Sequence, residues 1–344
     1  MTQPVRFAVV GCGHIGRRHM AMIEAHPEAE LVAAVDTSWP SSEEMLHLES
    51  NNSSVQFFSN LDEALGAAGL ELDVVAICTP NGSHVPLSLK VVQAGCHVVL
   101  EKPMGLTSEG VERLHAAAIA ESVTVFGVMQ NRFAPAAQWL KETKLGGGFG
   151  DVLQVHVQCL WNRDERYYKP GSWRGTMKED GGPLFTQFSH FLDILMWVFG
   201  GIEVEEAHFV NQTHGDQIEF EDGGLVLFRF LDGGWGTLTF STSAPHSNFE
   251  SSMTVMGSRG TVRIGGQYMD RVDEFALPHC QCPDMGQAPP PNDYGGYQGS
   301  AANHHFVYDN VMDVLLRAKE VATPIEEGLA VVRAIEQMNA LGRA

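Results

Sequence analysis

Two rhythms of apolar and polar residues divide the chain. Over its first 128 positions, short runs of β-branched and small apolar residues alternate with stretches whose apolar positions recur every three to four residues. The runs predict strands at 5–10, 31–35, near 57, 73–77, 97–100 and 124–128. The longer period predicts helices between 14 and 23 and over 41–49, 60–68, 83–94 and 108–120. Such βα alternation specifies an α/β fold, a doubly wound parallel sheet with helices on both faces. Beyond 129 the rhythm changes. A helix over 135–143 precedes strands at 152–160, 204–210, 224–230, 236–241, 252–256 and 260–264, several joined by turns such as Asp232-Gly233-Gly234, as expected of antiparallel hairpins. Helices over 303–317 and 325–341 end the chain. The expected division is therefore 1–128 and 129–344.

One stretch breaks the apolar rule. From Asp180 to Asp193 the chain reads DGGPLFTQFSHFLD, a loop feeding a helix built for burial that nevertheless carries Thr186, His190 and Asp193. On one continuous helix these three lie within about 60° of each other. A hydroxyl, an imidazole and a carboxylate would then share a stripe, which could equally be a core helix satisfying its own polar groups.

Composition narrows the partners. A net charge of -20 argues against nucleic acid or an anionic membrane, and any anionic ligand must meet a local basic cluster. One exists: Arg163, Arg166, Lys169, Arg174 and Lys178 gather five of the 22 Lys and Arg residues within 163–178, interleaved with Tyr167, Tyr168 and Trp173. Arginine forks suit phosphate or carboxylate, and aromatics cover sugar or base faces. The six cysteines are scattered, so neither a disulfide framework nor a metal site is expected, Cys280 and Cys282 included. No secretory leader or apolar run of about 18 residues is read, and the cytoplasm is the expected location.

The chemistry begins after the first strand. Gly11-Cys12-Gly13-His14-Ile15-Gly16 is G-x-G-x-x-G between a strand and a helix, the setting of a Rossmann dinucleotide site. Asp36 ends the second strand, placed to accept the ribose diol and to repel a 2′-phosphate. No Lys or Arg occurs between Arg18 and Lys90 to neutralise that phosphate, so NAD is expected over NADP. Ligand loops lie at the carboxyl ends of such strands. Two follow there: Thr79-Pro80-Asn81-Gly82-Ser83-His84, and Glu101-Lys102-Pro103. A lysine beside a positive nicotinamide ring is suited to hydrogen-bond a reacting hydroxyl.

With GCGHIG, TPNGSH, the Glu101-Lys102-Pro103 triplet and the Gly-Gly-x-Leu…His-x-x-Asp segment in this order, the chain resembles the Gfo/Idh/MocA family of NAD(P)-dependent oxidoreductases over nearly its whole length. Within it, Trp161-Asn162-Arg163 and Trp173-Arg174-Gly175-Thr176 resemble the UDP-N-acetylglucosaminuronate 3-dehydrogenases of bacterial polysaccharide biosynthesis. The resemblance implies that the second domain carries a large, mostly antiparallel open sheet used for oligomer contacts, giving a homo-oligomer, a dimer or tetramer. It implies Lys102 and His190 as catalytic residues, with Thr186 in the third catalytic position. The implied cofactor set is Gly11, Gly13, His14, Ile15, Gly16, Asp36, Thr79, Pro80, Asn81, His84, Glu101, Lys102, Gln130 and Arg132. The implied substrate set is Arg163, Arg166, Tyr168, Trp173, Arg174, Gln187 and His190. Two departures stand out. Thr186 sits where the family carries an acid or an amide and cannot act as a base, and Phe188 sits where it carries a small glycine.

The expected activity is NAD-dependent oxidation of a secondary sugar hydroxyl, C3 of a UDP-N-acetylhexosaminuronate. The alternatives are a simple sugar or inositol dehydrogenase, an NAD-dependent glycosidase of the same fold, and a non-catalytic NAD-binding sensor.

Overall fold

The computed structural model describes residues 3–38, 55–266, 268–285 and 302–343. The helix expected over 41–49 and part of the proline-bearing loop over 277–292 lie outside them. The chain forms two units, Met1–Val128 with His304–Leu329, and Met129–Asn303 with Ala330–Ala344. The units part between Val128 and Met129, and residues 304–329 return to the first unit. They return because they complete it: Gly127 N donates to Thr323 O at 3.0 Å, the Thr323 hydroxyl donates to Gly127 O, and Phe126 bridges to Pro324.

The first unit is a six-stranded parallel sheet in the order β3-β2-β1-β4-β5-β6. These strands are Val5–Val10 (β1), Ala29–Val35 (β2), Gln56–Phe58 (β3), Val74–Ile77 (β4), His97–Leu100 (β5) and Val125–Gly127 (β6). The β4 segment VVAI is buried throughout, as a strand covered on both faces must be. Between strands run helices His14–Ala25 (α1), Leu61–Leu65 (α2), His84–Gln93 (α3) and Ser108–Glu121 (α4), and His304–Arg317 (α8) is added from the far end of the chain. Local chemistry sets their starts. Asn60 accepts Glu63 N at 2.9 Å and Thr107 accepts Gly110 N at 3.2 Å, each satisfying an otherwise unpaired first-turn donor. The strand order reverses between β1 and β4, so the loops after these two strands flank a switch point.

The second unit holds a seven-stranded sheet in the order β13-β12-β11-β7-β10-β9-β8. Its strands are Val152–Leu160 (β7), Ile202–Val210 (β8), Gly223–Phe230 (β9), Trp235–Ser241 (β10), Glu250–Gly257 (β11), Gly260–Gly265 (β12) and Arg271–Ala276 (β13). All pairs are antiparallel except β7 with β10. The strand β13 was not expected, because RVDEFA alternates charge with apolar residues on an edge. Helices Pro135–Leu145 (α5), Pro183–Thr186 (α6) and Ser189–Phe199 (α7) accompany the sheet, and Ile325–Gly342 (α9) ends the chain. On β7, β9 and β10 buried residues such as Val155, Val157, Phe228 and Leu238 alternate with exposed Leu153, Leu225 and Trp235, so one face is covered and one is open.

The single helix expected from 183 onward is two helices. Gln187 N and Phe188 N both bond Pro183 O at 2.9 Å, closing α6, and α7 starts afresh at Ser189. Phe188 sits at the break, buried against Trp161 and Phe240 at ring separations of 5.6 and 5.7 Å. Its bulk, where the family has glycine, fills the core at the joint. Thr186 and His190 therefore do not share one helix stripe.

Candidate active site

The glycine loop is shaped by its backbone. Gly11 has φ +90°, and an added Cβ would stand 2.7 Å from Cys78 O, in the loop after β4. At Gly16 a Cβ would lie 1.8 Å from Gly11 O, so only glycine lets α1 begin this close to the turn. Gly13 is different: its Cβ would meet no protein atom within 4 Å, at a helix start with no side-chain cap. The N–H groups of a helix's first turn, beside a glycine facing outward, fit a pyrophosphate. Asp36 follows β2 and already points at this loop. Its Oδ2 accepts Cys12 N at 2.7 Å and its Oδ1 accepts Ser38 N at 2.8 Å, which fixes the carboxylate beside the glycine loop, where it could accept from a ribose diol. These residues fit NAD. His14 and Ile15 open α1, exposed and half-buried respectively.

The loops after β4 and β5 are tied together by His84. Its ring is buried, with Nδ1 2.7 Å from Pro103 O and Nε2 2.9 Å from Thr79 O. Burial lowers its pKa, so the neutral ring donates to one carbonyl at a time. Ser83 Oγ lies 2.7 Å from both Thr79 Oγ1 and Pro80 O, and Asn81 is buried in the same turn. His84 thus serves the loops through their backbone.

Glu101 is buried beneath Lys102. It accepts the Lys102 backbone N–H at 3.1 Å and lies 3.0 Å from His19 Nε2 and 3.6 Å from His304 Nε2. His19 Nδ1 continues to the Tyr308 hydroxyl at 2.7 Å. Burial alone would raise the Glu101 pKa, but hydrogen bonds and charge from the two imidazoles hold it well below the usual carboxylate range. Helices α1 and α8 are in this way locked onto the end of β5, and the half-buried Lys102 side chain starts from a fixed backbone.

In the second unit, His190 Nε2 faces the Gln130 amide at 3.5 Å. That contact turns the ring nitrogen toward the segment that carries Arg132. Asp193 turns to Arg132. It holds Arg132 through two parallel bonds, Nε to Oδ2 at 2.7 Å and a terminal nitrogen to Oδ1 at 2.5 Å, both residues buried. Arg132 also lies over the Trp197 ring at 5.4 Å. The pair pins α7 to the segment that carries Gln130. Thr186 donates to Asp180, a fully buried acid that the sequence reading left without a role.

The basic loop is only partly available to a ligand. Arg163 is buried, bonded to Asn162 O at 2.6 Å and Asn248 Oδ1 at 3.0 Å, over the rings of Trp161 and Tyr167. Arg166 is exposed and paired with Asp164 at 2.6 Å. Arg174, itself half-buried, stacks on the buried Tyr167 at 4.6 Å and on the half-buried Trp173 at 5.1 Å. Tyr168 sits in a small core with Tyr167, Ile218 and Phe220, and Gln187 donates to the Tyr167 hydroxyl at 2.8 Å. Among the described residues no helix is long and apolar enough to cross a membrane.

Comparison with known proteins follows the same division. Residues 5–128 match the oxidoreductase family with an NAD-binding Rossmann fold, and residues 137–263 match the GFO/IDH/MocA C-terminal domain. The WlbA dehydrogenase from Bordetella pertussis, solved with NADH and UDP-GlcNAcA, is 32% identical, covering 99% of this chain and 97% of that one at a TM-score of 0.84. Its counterpart from Chromobacterium violaceum, solved with the same two ligands, is 29% identical over 100% and 95%, at 0.87. The D-glucoside 3-dehydrogenase of Escherichia coli is 30% identical over 70% of this chain and 68% of its own length.

Proposed function

The chain belongs to the Gfo/Idh/MocA oxidoreductase family, and from that membership we propose that it oxidises C3 of a UDP-N-acetylhexosaminuronate in polysaccharide biosynthesis. It is an NAD-dependent sugar dehydrogenase. The observation that carries the finer reading is likeness along 99% of the chain to an enzyme solved with NADH and UDP-GlcNAcA.

NAD, held by the glycine loop, Asp36 and the loops after β4 and β5, supplies the hydride acceptor. The protein supplies the rest. His190 takes the hydroxyl proton at its imidazole, which Gln130 orients, with Arg132 and Asp193 holding α7 in register. Lys102 stabilises the developing alkoxide, its backbone fixed by Glu101. Arg166 and Arg174 serve the anionic groups of the substrate, with the buried Arg163 bracing the loop, and Trp173 covers an apolar face. The open face of the second sheet, with Leu153, Leu225 and Trp235 exposed, serves homo-oligomer contact.

The second reading, oxidation of a simple glucoside, is favoured by the 30% identity to the D-glucoside 3-dehydrogenase. A panel of UDP-sugars, free hexoses, glucosides and inositols, read by NADH absorbance, separates the two. The proposal predicts turnover of UDP-GlcNAcA at least tenfold above methyl glucoside. In that assay Lys102→Ala and His190→Ala should each lose about 100-fold or more in kcat. Full turnover in either variant would remove that residue from the mechanism.

A further inference from the structure

His304 opens α8 with only 1% of its surface exposed. Among the described residues neither of its ring nitrogens has a well-made hydrogen bond. Its Nε2 stands 3.6 Å from Glu101 Oε1, and His19 Nε2 reaches the same oxygen at 3.0 Å. The two rings lie edge to face, with centroids 5.6 Å apart and planes at 76°, so they meet the carboxylate without stacking on each other. One donor atom from each of the three residues lies within 4.8 Å of the other two, and all three residues are buried in the first unit.

We propose that His19, Glu101 and His304 bind a divalent transition-metal ion, zinc being the expected occupant, and that the ion staples α1, the end of β5 and the start of α8 together. Two imidazoles and one carboxylate are a zinc donor set, with water in the fourth position. Zinc bonds of about 2.0–2.1 Å in a tetrahedron hold ligand atoms about 3.3 Å apart. The separations from Glu101 Oε1, 3.0 and 3.6 Å, straddle that value. The remaining edge, at most 4.8 Å, closes by a turn of the His304 ring.

The surroundings supply what such ligands require. A metal-bound imidazole gives its other N–H to an acceptor, which fixes its tautomer and orientation. His19 Nδ1 lies 2.7 Å from the buried Tyr308 hydroxyl, which takes that proton. Glu101 divides its oxygens: Oε2 accepts the Lys102 N–H at 3.1 Å, and Oε1 faces the imidazoles. The ion therefore leaves the lysine backbone anchored. A donor set spread over positions 19, 101 and 304 leaves no ligand spacing to read in sequence.

The test uses the full chain without an affinity tag: the wild type, Cys280→Ser with Cys282→Ser, His304→Leu and Tyr308→Phe. Each is stripped with chelator, loaded with zinc chloride and dialysed. Zinc is then counted by mass spectrometry, and affinity is read by competition with a chromophoric chelator. The wild type and the cysteine variant should each keep one zinc per chain. His304→Leu, in which an apolar side chain fills the place of the ring, should keep none. Tyr308→Phe retains all three ligands and should bind about tenfold more weakly. Zinc at about 100 times Kd should raise the wild-type thermal midpoint by about 3 °C and leave that of His304→Leu unmoved. These readings need no substrate, so they are decided separately from the sugar-dehydrogenase reading. No retained zinc in the wild type, loss of zinc with the two cysteines, or wild-type affinity in His304→Leu overturns the site. Should His304→Leu fail to fold, wild-type affinity in Tyr308→Phe overturns it instead.

Discussion

The glycine loop of the first unit and the broken helix of the second hold polar groups in place by opposite means. Around Gly11, Gly13 and Gly16 the groups that matter are backbone, and at Gly11 and Gly16 side chains are excluded by contacts as close as 1.8 Å. Around His190 they are side chains, held by other side chains far along the sequence: Arg132 and Asp193 are 61 positions apart. A site made of backbone is tolerant of what surrounds it but not of an added methyl. A site made of paired side chains tolerates small changes of bulk but not the loss of one partner.

The sharpest way to break the second kind is to remove one member of its buried ion pair. Arg132→Ala leaves Asp193 charged and enclosed, and should cost about 3–5 kcal/mol in urea unfolding. Replacing both, Arg132→Met with Asp193→Leu, should recover most of that stability, since an apolar pair of similar volume avoids the desolvation cost. A single variant within about 1 kcal/mol of wild type would show that α7 is held by its apolar face alone.

The same contrast explains what could be read from sequence. The glycine spacing, the strand before it and Asp36 twenty positions on are local, and backbone geometry demands those residues at those places. Nearly all strands and helices among the described residues followed from apolar period. The break between α6 and α7 did not, because Leu184, Phe185, Phe188, Phe191 and Leu192 are buried on both sides of it and the pattern passes through unmarked. Nor did the pairing of Asp193 with Arg132, or of Glu101 with His19 and His304, which only the chain path brings together. Asp180 was visible as an acid before two glycines, but its partners are a backbone N–H and a hydroxyl, neither of which leaves a spacing to count.

The backbone kind of site can be probed at two glycines that differ in surroundings. Gly16→Ala drives a methyl into Gly11 O and should weaken NAD binding about 100-fold while also lowering stability. Gly13→Ala meets no protein atom within 4 Å, so its unfolding midpoint should stay within about 0.5 kcal/mol of wild type. Its NAD affinity should nevertheless fall about tenfold in calorimetry, because the methyl stands where the pyrophosphate must approach. Unchanged affinity would mean that the dinucleotide lies elsewhere on the loop.

The two units also hold buried carboxylates differently, and pH separates them. Glu101 depends on imidazoles, whereas Asp222 accepts backbone N–H groups from Gln212 and Thr213, at 3.0 and 2.8 Å, with His214 Nδ1 at 2.9 Å. Burial of Asp222 would raise its pKa, but these donors outweigh it and bring the acid down to about 2. A depressed folded pKa stabilises wherever the unfolded carboxyl is ionised. The contribution is therefore fully present above about pH 4 and is lost as pH falls through the folded pKa. The shift from 3.8 to about 2 corresponds to about 2 kcal/mol. Asp222→Asn should remove that amount at pH 7 and flatten the decline of stability between about pH 4 and pH 2, measured by urea unfolding across the range. Glu101→Gln should flatten the acid limb in the same sense, because its pKa is also depressed. A steeper limb in Asp222→Asn than in the wild type would reverse the sign and show that the backbone donors do not hold this carboxylate ionised.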